Sequence, residues 1–187
     1  MKKEFLNRYA RTESGTIIID VAAARVADLY EDIDKVSPFL KKDLNHRLAE
    51  YLKDAAHEIG RESFIIRITL NEIPAEDLKN SIRNSVANFF DYMIEVERRA
   101  MKRMAKTSLS LFAAGIIFLM ASVYLSDWMM NGSRVLMQVF VEGITVAGWV
   151  FLWNAITIFL IDWAPRRDDI RRYRRLSGAP IEFSKSL

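Results

Sequence analysis

Apolar residues recur along this chain with three rhythms, and each rhythm predicts a different element. In Phe64-Ile65-Ile66-Arg67-Ile68-Thr69-Leu70 a period of two puts Phe64, Ile66, Ile68 and Leu70 on one face, the mark of a strand. Thr16-Ile17-Ile18-Ile19-Asp20-Val21 is rich in β-branched residues and reads as a second strand. Between the two, Lys42 to Ile59 carries Leu44, Leu48, Tyr51, Leu52, Ala55 and Ile59 at helical spacing, and Gly60 is placed to stop that helix. The result is a β-α-β unit whose strands, about 45 residues apart, can lie parallel through a right-handed crossover. A sheet of two strands is marginal alone. Either a partner chain completes it or the tail segment Pro180-Ile181-Glu182-Phe183 adds a strand. The acidic run Tyr30-Glu31-Asp32-Ile33-Asp34 before Ser37-Pro38 reads as a loop or a short helical turn.

Pro74 suits a first helical position, and neither Gly nor Pro follows until Gly115. Leu78, Ile82, Val86, Phe89, Met93, Val96, Ala100 and Met104 recur every three or four residues, close to the period of a straight helix. One amphipathic helix of about 50 residues, about 75 Å long, therefore leads into the apolar region. Its stripe must be buried, either on its own small domain or in a bundle of copies, and the pattern favours neither.

The third rhythm is the absence of polarity. Thr107 to Tyr124 carries no charge, and Val135 to Ile161 is almost as apolar. A spanning helix needs about 20 such residues to cross about 30 Å of hydrocarbon. A chain of 187 residues is too short to wrap two such helices in water. The intervening segment holds Asn131-Gly132, a turn-forming pair, then Ser133 as a helix cap; the glycosylation sequon these three compose is read as chance. Trp128 and Trp163 suit the two membrane interfaces. The fold class expected is an α+β membrane protein. Its parts are a flexible N-terminus 1–14, a cytosolic β-α-β domain 15–73, an amphipathic stalk helix 74–106, a first transmembrane helix 107–126, an outer loop 127–134, a second transmembrane helix 135–162 and a basic tail 163–187.

Charge orients this arrangement. Arg98, Arg99, Lys102, Arg103 and Lys106 precede the first span, and Arg166, Arg167, Arg171, Arg172, Arg174 and Arg175 follow the second, whereas the loop has only Arg134. The positive-inside rule then puts both termini in the cytoplasm. The basic runs neutralise phosphate in principle, but each abuts a span, so anionic lipid headgroups account for them better than nucleic acid. The N-terminus has no apolar core of a signal peptide. Absence of cysteine removes disulfides, thiolate catalysis and thiolate metal sites, and fits a reducing compartment.

Candidate chemistry is sparse. His46 and His57 stand eleven residues apart, about 16 Å along one helix, too far to share a metal. With Glu50 and Asp54 they read as a solvated face. There is no P-loop, GxGxxG or paired nucleophile and base, so the expectation is no catalysis, no metal and no cofactor. Polar residues within the spans carry more information, because each is costly in hydrocarbon. Arg134, Gln138 and Glu142 follow at i, i+4 spacing, continued by Thr145 and Trp149. If the surplus length of the second span lies at its outer end, Glu142 sits in the headgroup region. Gly143 and Ala147 with Asn154 on the second span, and Ser110, Ala114 and Ala121 on the first, offer small or polar faces for close helix packing.

Gly148-Trp149-Val150-Phe151-Leu152-Trp153, with Phe159-Leu160-Ile161-Asp162-Trp163-Ala164-Pro165-Arg166-Arg167, resembles a pattern of uncharacterised prokaryotic two-span membrane proteins. That resemblance implies a prokaryotic cytoplasmic membrane and carries no activity. The order of soluble domain, long helix, span, tight loop, span and charged tail also resembles the calcium uniporter pore subunit. Where that family has Trp-Asp-x-x-Glu-Pro, this loop reads Ser126-Asp127-Trp128-Met129-Met130-Asn131-Gly132, so the motif is absent. The expected function is a non-enzymatic membrane-anchored scaffold, homo-oligomeric, in contact with membrane lipids and a cytosolic protein partner and not with nucleic acid. An oligomeric ion channel lined by the second span is the alternative.

Overall fold

The computed structural model describes residues 6–31, 38, 42–128 and 135–186. The acidic run beyond Glu31, the turn Asn131-Gly132-Ser133 and Arg134 lie outside the described residues. The chain divides into two compact units, residues 1–96 with 169–187, and residues 97–168.

The first unit is built on a parallel sheet of three strands in the order β1 (Ile17–Ala22), β2 (Phe64–Leu70) and β3 (Ile181–Lys185). Ile17 pairs with Phe64 and Val21 with Ile68; on the other edge of β2, Ile66 pairs with Ile181 and Ile68 with Phe183. The tail therefore completes the sheet that the sequence left two strands wide. The alternating face is buried as its spacing requires, Ile17, Ile19, Phe64, Ile66, Ile68 and Leu70 all lying in the core. On the opposite face Arg67 stands between Asp20 and Glu182, at 4.0 and 3.8 Å, one cation holding a carboxylate on each neighbouring strand.

Helix α1 (His46–Ile59) joins β1 to β2. Asn45 caps it by accepting the Arg47 N–H at 3.0 Å, and Gly60 ends it at φ 71°, a conformation that costs little only without a Cβ. Its buried line is Leu52, Ala55, Ala56 and Ile59; Tyr51, expected inward, is exposed and donates its hydroxyl to the Asp20 carbonyl. Helix α2 runs unbroken over Glu76–Trp128. Within the first unit its buried apolar residues are Ile82, Val86, Phe90 and Ile94, so this part of the stripe packs on its own domain. Phe89 and Met93, expected at the centre of that stripe, sit partly buried at its edge.

The N-terminal segment, expected to be flexible, is fixed from Leu6 onward. Leu6 is in the core, Tyr9 donates to Glu58 at 2.7 Å, and the Ala10 carbonyl accepts the Ile18 N–H. Part of the expected basic tail is likewise structural. In helix α4 (Trp163–Ser177) Tyr173 and Leu176 are buried. Arg175 points into the C-terminal end of α1, donating to the carbonyls of Ala56, Gly60 and Glu62 with its guanidinium 4.7 Å over the Phe64 ring. A cation there meets the negative end of the helix dipole. Burial lowers the Arg175 pKa, though it stays charged at any physiological pH.

The second unit is an antiparallel pair: α2 beyond Glu97, and α3 (Val135–Thr157) continued by a π-helical turn, Ile158–Asp162, into α4. Both long helices are apolar and long enough to cross a membrane, and only 11% of the most apolar window in each is buried.

Candidate functional site

Two features of the described residues offer surfaces for function, one in each unit. The first is a cleft of about 570 Å³ against α1, α2 and α4. Its walls are Ala49, Phe89, Tyr92, Met93 and Tyr173, and its rim carries Glu31, Asp43, Glu50 and Asp54. Glu31 accepts the backbone N–H of His46 at the start of α1, and His46 Nε2 lies 3.3 Å from Glu50. Lys53 is the lysine of the lining, and its charge is engaged: Nζ donates to Asp169 at 2.9 Å and lies 5.5 Å over the Tyr173 ring. Burial alone depresses the Lys53 pKa, but the bonds to Asp169 and Tyr173 outweigh it and the net shift is upward. The cleft thus presents aromatic surface under an acidic rim, complementary to a basic segment with apolar side chains.

His57 is exposed and outside this lining. His46, Glu50 and Asp54, read from sequence as a solvated face, are exposed side chains that border the cleft. Tyr92 and Tyr173 were missed. Tyr92 falls off the helical stripe, and Tyr173 is hidden among arginines, so neither had a period to mark it.

The second feature is the hairpin of the second unit. Three contacts keep one register: Glu97 with Arg166 at 2.8 Å, Ser108 Oγ donating to the Ala155 carbonyl at 2.9 Å, and Gly115 against Gly148. A methyl on Gly115 would lie 2.8 Å from Leu152 Cγ and 3.0 Å from the Gly148 carbonyl oxygen; one on Gly148 would lie 2.9 Å from Leu119. Close backbone approach at small residues holds the pair together. The contact runs one step away from the faces the sequence suggested. Gly143 has nothing within 4 Å of a Cβ, and Ser110 and Asn154 are exposed, Asn154 donating only to the Val150 carbonyl of its own helix. Ala114, Ala121 and Ala147 are half-buried beside the contact, while Ser122 is buried.

Extending this register brings Ala121 level with Glu142 and Lys106 level with Thr157. Ala121 precedes Asp127 by six residues, about 9 Å of helix. Gln138 and Glu142 are both exposed. By the same register Val135–Gln138 stand level with Leu125–Trp128, and Thr157 with Lys106, so the surplus length of the second stretch is shared between its two ends.

The basic residues divide by environment. Arg98, Lys102, Arg103, Lys106 and Arg167 are exposed, whereas Arg166 pairs with Glu97 and Arg172 with Asp169, each at 2.8 Å. Arg99 and Arg171 are exposed and also engaged. Of the basic residues expected to meet lipid headgroups, Arg166 and Arg172 thus have carboxylates of the protein as partners. No protein-family model matches the chain, and neither a curated protein nor a solved structure is similar to it.

Proposed function

We propose that this protein is a non-enzymatic membrane anchor and scaffold: the hairpin crosses a prokaryotic cytoplasmic membrane twice, and the three-stranded domain receives a partner on the cytoplasmic side. The observation that carries this reading is the direct pairing of β2 with β3. β2 precedes both apolar helices and β3 follows them, so a chain that enters a membrane between these strands must leave it on the same side. Exposed apolar surface supports the crossing, with Leu136 at 85% and Trp153 at 72% accessible, because a helix buried in a soluble core hides such residues. The basic clusters at the domain ends of both spans favour the cytoplasmic side. The cleft is the docking surface, and its acidic rim selects a basic segment of a cytosolic protein.

The test is retention of the full chain in membranes after alkaline extraction, combined with partner binding. A cationic amphipathic peptide should bind the purified protein in detergent, and Glu50→Lys with Asp54→Lys should abolish that binding. Release of the chain by alkali removes the anchor; undiminished binding by the double variant removes the cleft.

A second reading is favoured by Glu142 and Gln138. A carboxylate level with Ala121, inside the charge-free part of the first span, needs protein or water around it. Copies that gather their Gln138–Glu142 faces supply that cover, and the same ring would attract cations if it enclosed a lumen. Cation flux in proteoliposomes that is lost in Glu142→Gln, with the oligomer unchanged, would make the protein a channel.

A further inference from the structure

The inner end of the hairpin opens into a groove of about 550 Å³. Ala105, Ser108 and Phe112 form one wall and Ala155, Phe159 and Trp163 the other. Ser108 is its only hydroxyl among these, and that hydroxyl is already donated to the Ala155 carbonyl, so the surface offered is hydrocarbon. Two causes open it. Small side chains face one another where α2 meets α3, and the π-turn at Ile158–Asp162 shifts the wall that follows. Single π-turns inside helices recur at functional sites.

We infer that this groove holds an acyl chain of an anionic phospholipid whose phosphate rests on Lys102 and Arg167. The inference rests on the membrane placement proposed above. From Phe112 to Ala105 the groove runs about 10 Å along the helix, within the half-thickness of a bilayer's hydrocarbon. It opens toward the end of the hairpin where cations gather. Lys102 lies one turn beyond Ala105, and Arg167 one turn beyond Trp163, both exposed. Trp163, edge-on to Phe159 at 5.2 Å, closes the groove at the level where indole rings sit among headgroups. An apolar slot leading to a pair of cations has the chemistry of a lipid and its phosphate.

Native mass spectrometry of the full chain in detergent, titrated with phosphatidylglycerol, phosphatidylcholine or inorganic phosphate, tests this. Wild type should retain one phosphatidylglycerol in preference to phosphatidylcholine, and inorganic phosphate should not compete. Lys102→Gln with Arg167→Gln should weaken phosphatidylglycerol about thirtyfold, the worth of two basic side chains at an anionic headgroup, and leave phosphatidylcholine unchanged. Ala105→Phe should reduce both lipids by filling the slot. Equal retention of the two lipids by wild type would overturn the inference, as would an unaltered preference in the double variant. Loss of the oligomer rather than of lipid in Ala105→Phe would assign the groove to a second copy. A chain that leaves the membrane on alkaline extraction refutes the anchor itself; one that stays but binds no phosphatidylglycerol refutes only the lipid site.

Discussion

Single side chains decide how the hairpin closes. Gly115 and Gly148 are the positions where a Cβ meets the opposite helix, at 2.8 Å and 2.9 Å from leucine carbons and near a carbonyl oxygen on the facing backbone. Leucine can shift, but the carbonyl is fixed in a helix, so the backbones must separate. Gly115→Ala should therefore destabilise the helix pair by about 1–3 kcal/mol, read from its resistance to dissociation in mixed micelles. Gly143→Ala is the control. With open space around it, it should be neutral or favour the helix by up to about 1 kcal/mol. Equal losses in the two variants would contradict the register. The sequence contained both glycines but could not rank them against Gly143 and Ala147. A helix apolar on every side has no polar face to exclude, and rotation about its axis is then invisible to periodicity.

At the scale of elements, α1 and α4 are joined by the Lys53–Asp169 ion pair, with Asp169 also accepting from Arg172. Lys53→Met should cost the domain about 1–2 kcal/mol near neutral pH, since Asp169 keeps its arginine. The folded Lys53 pKa lies above its ordinary value of 10.5, so its contribution is complete below that value and is lost as pH rises through the higher folded value. The stability difference between wild type and variant, from denaturant titration, should thus be constant from pH 6 to 9 and shrink only in strong alkali. A difference that vanished on acidification within that range would refute the assignment. Elements with local signals were legible in sequence: β2 by alternation, the end of α1 by Gly60, the continuity of α2 by its lack of breakers. Spacing alone puts the inward phase of α2 at Phe89 and Met93, whereas the buried residues are Phe90 and Ile94; all four are apolar, and packing chooses between them. The pairing of β3 is not legible in sequence for a different reason. Its partner β2 lies on the far side of the hairpin in the chain, and no local pattern encodes so distant a pairing.

In the chain as a whole, one domain is interrupted by the apolar helical hairpin. The first unit is closed only when residues 169–187 return to it, bringing Tyr173, Leu176 and Ile181 into the core. Deleting residues 179–187 should remove β3 and leave a two-stranded sheet that cannot hold itself. Amides of β2 should then lose their protection from hydrogen exchange while those of the hairpin keep theirs. Conversely, residues 6–96 joined to 169–187 by a glycine-rich linker should fold without detergent, because both parts belong to one compact unit. Aggregation of that joined chain would show that the unit depends on the hairpin.

The proposed double crossing of a membrane between β2 and β3, with the domain on the basic side, can be read out by cysteine accessibility, since the protein has no native cysteine. Ser14→Cys, Ser184→Cys and Asp127→Cys would each be treated in intact cells with a thiol reagent that cannot cross the membrane. Asp127→Cys alone should be labelled, with the other two labelled only after permeabilisation. Labelling of Ser14→Cys and Ser184→Cys in intact cells would invert the orientation. Labelling of one of these two without the other would contradict the paired crossing and, with it, the sheet that joins both ends of the chain.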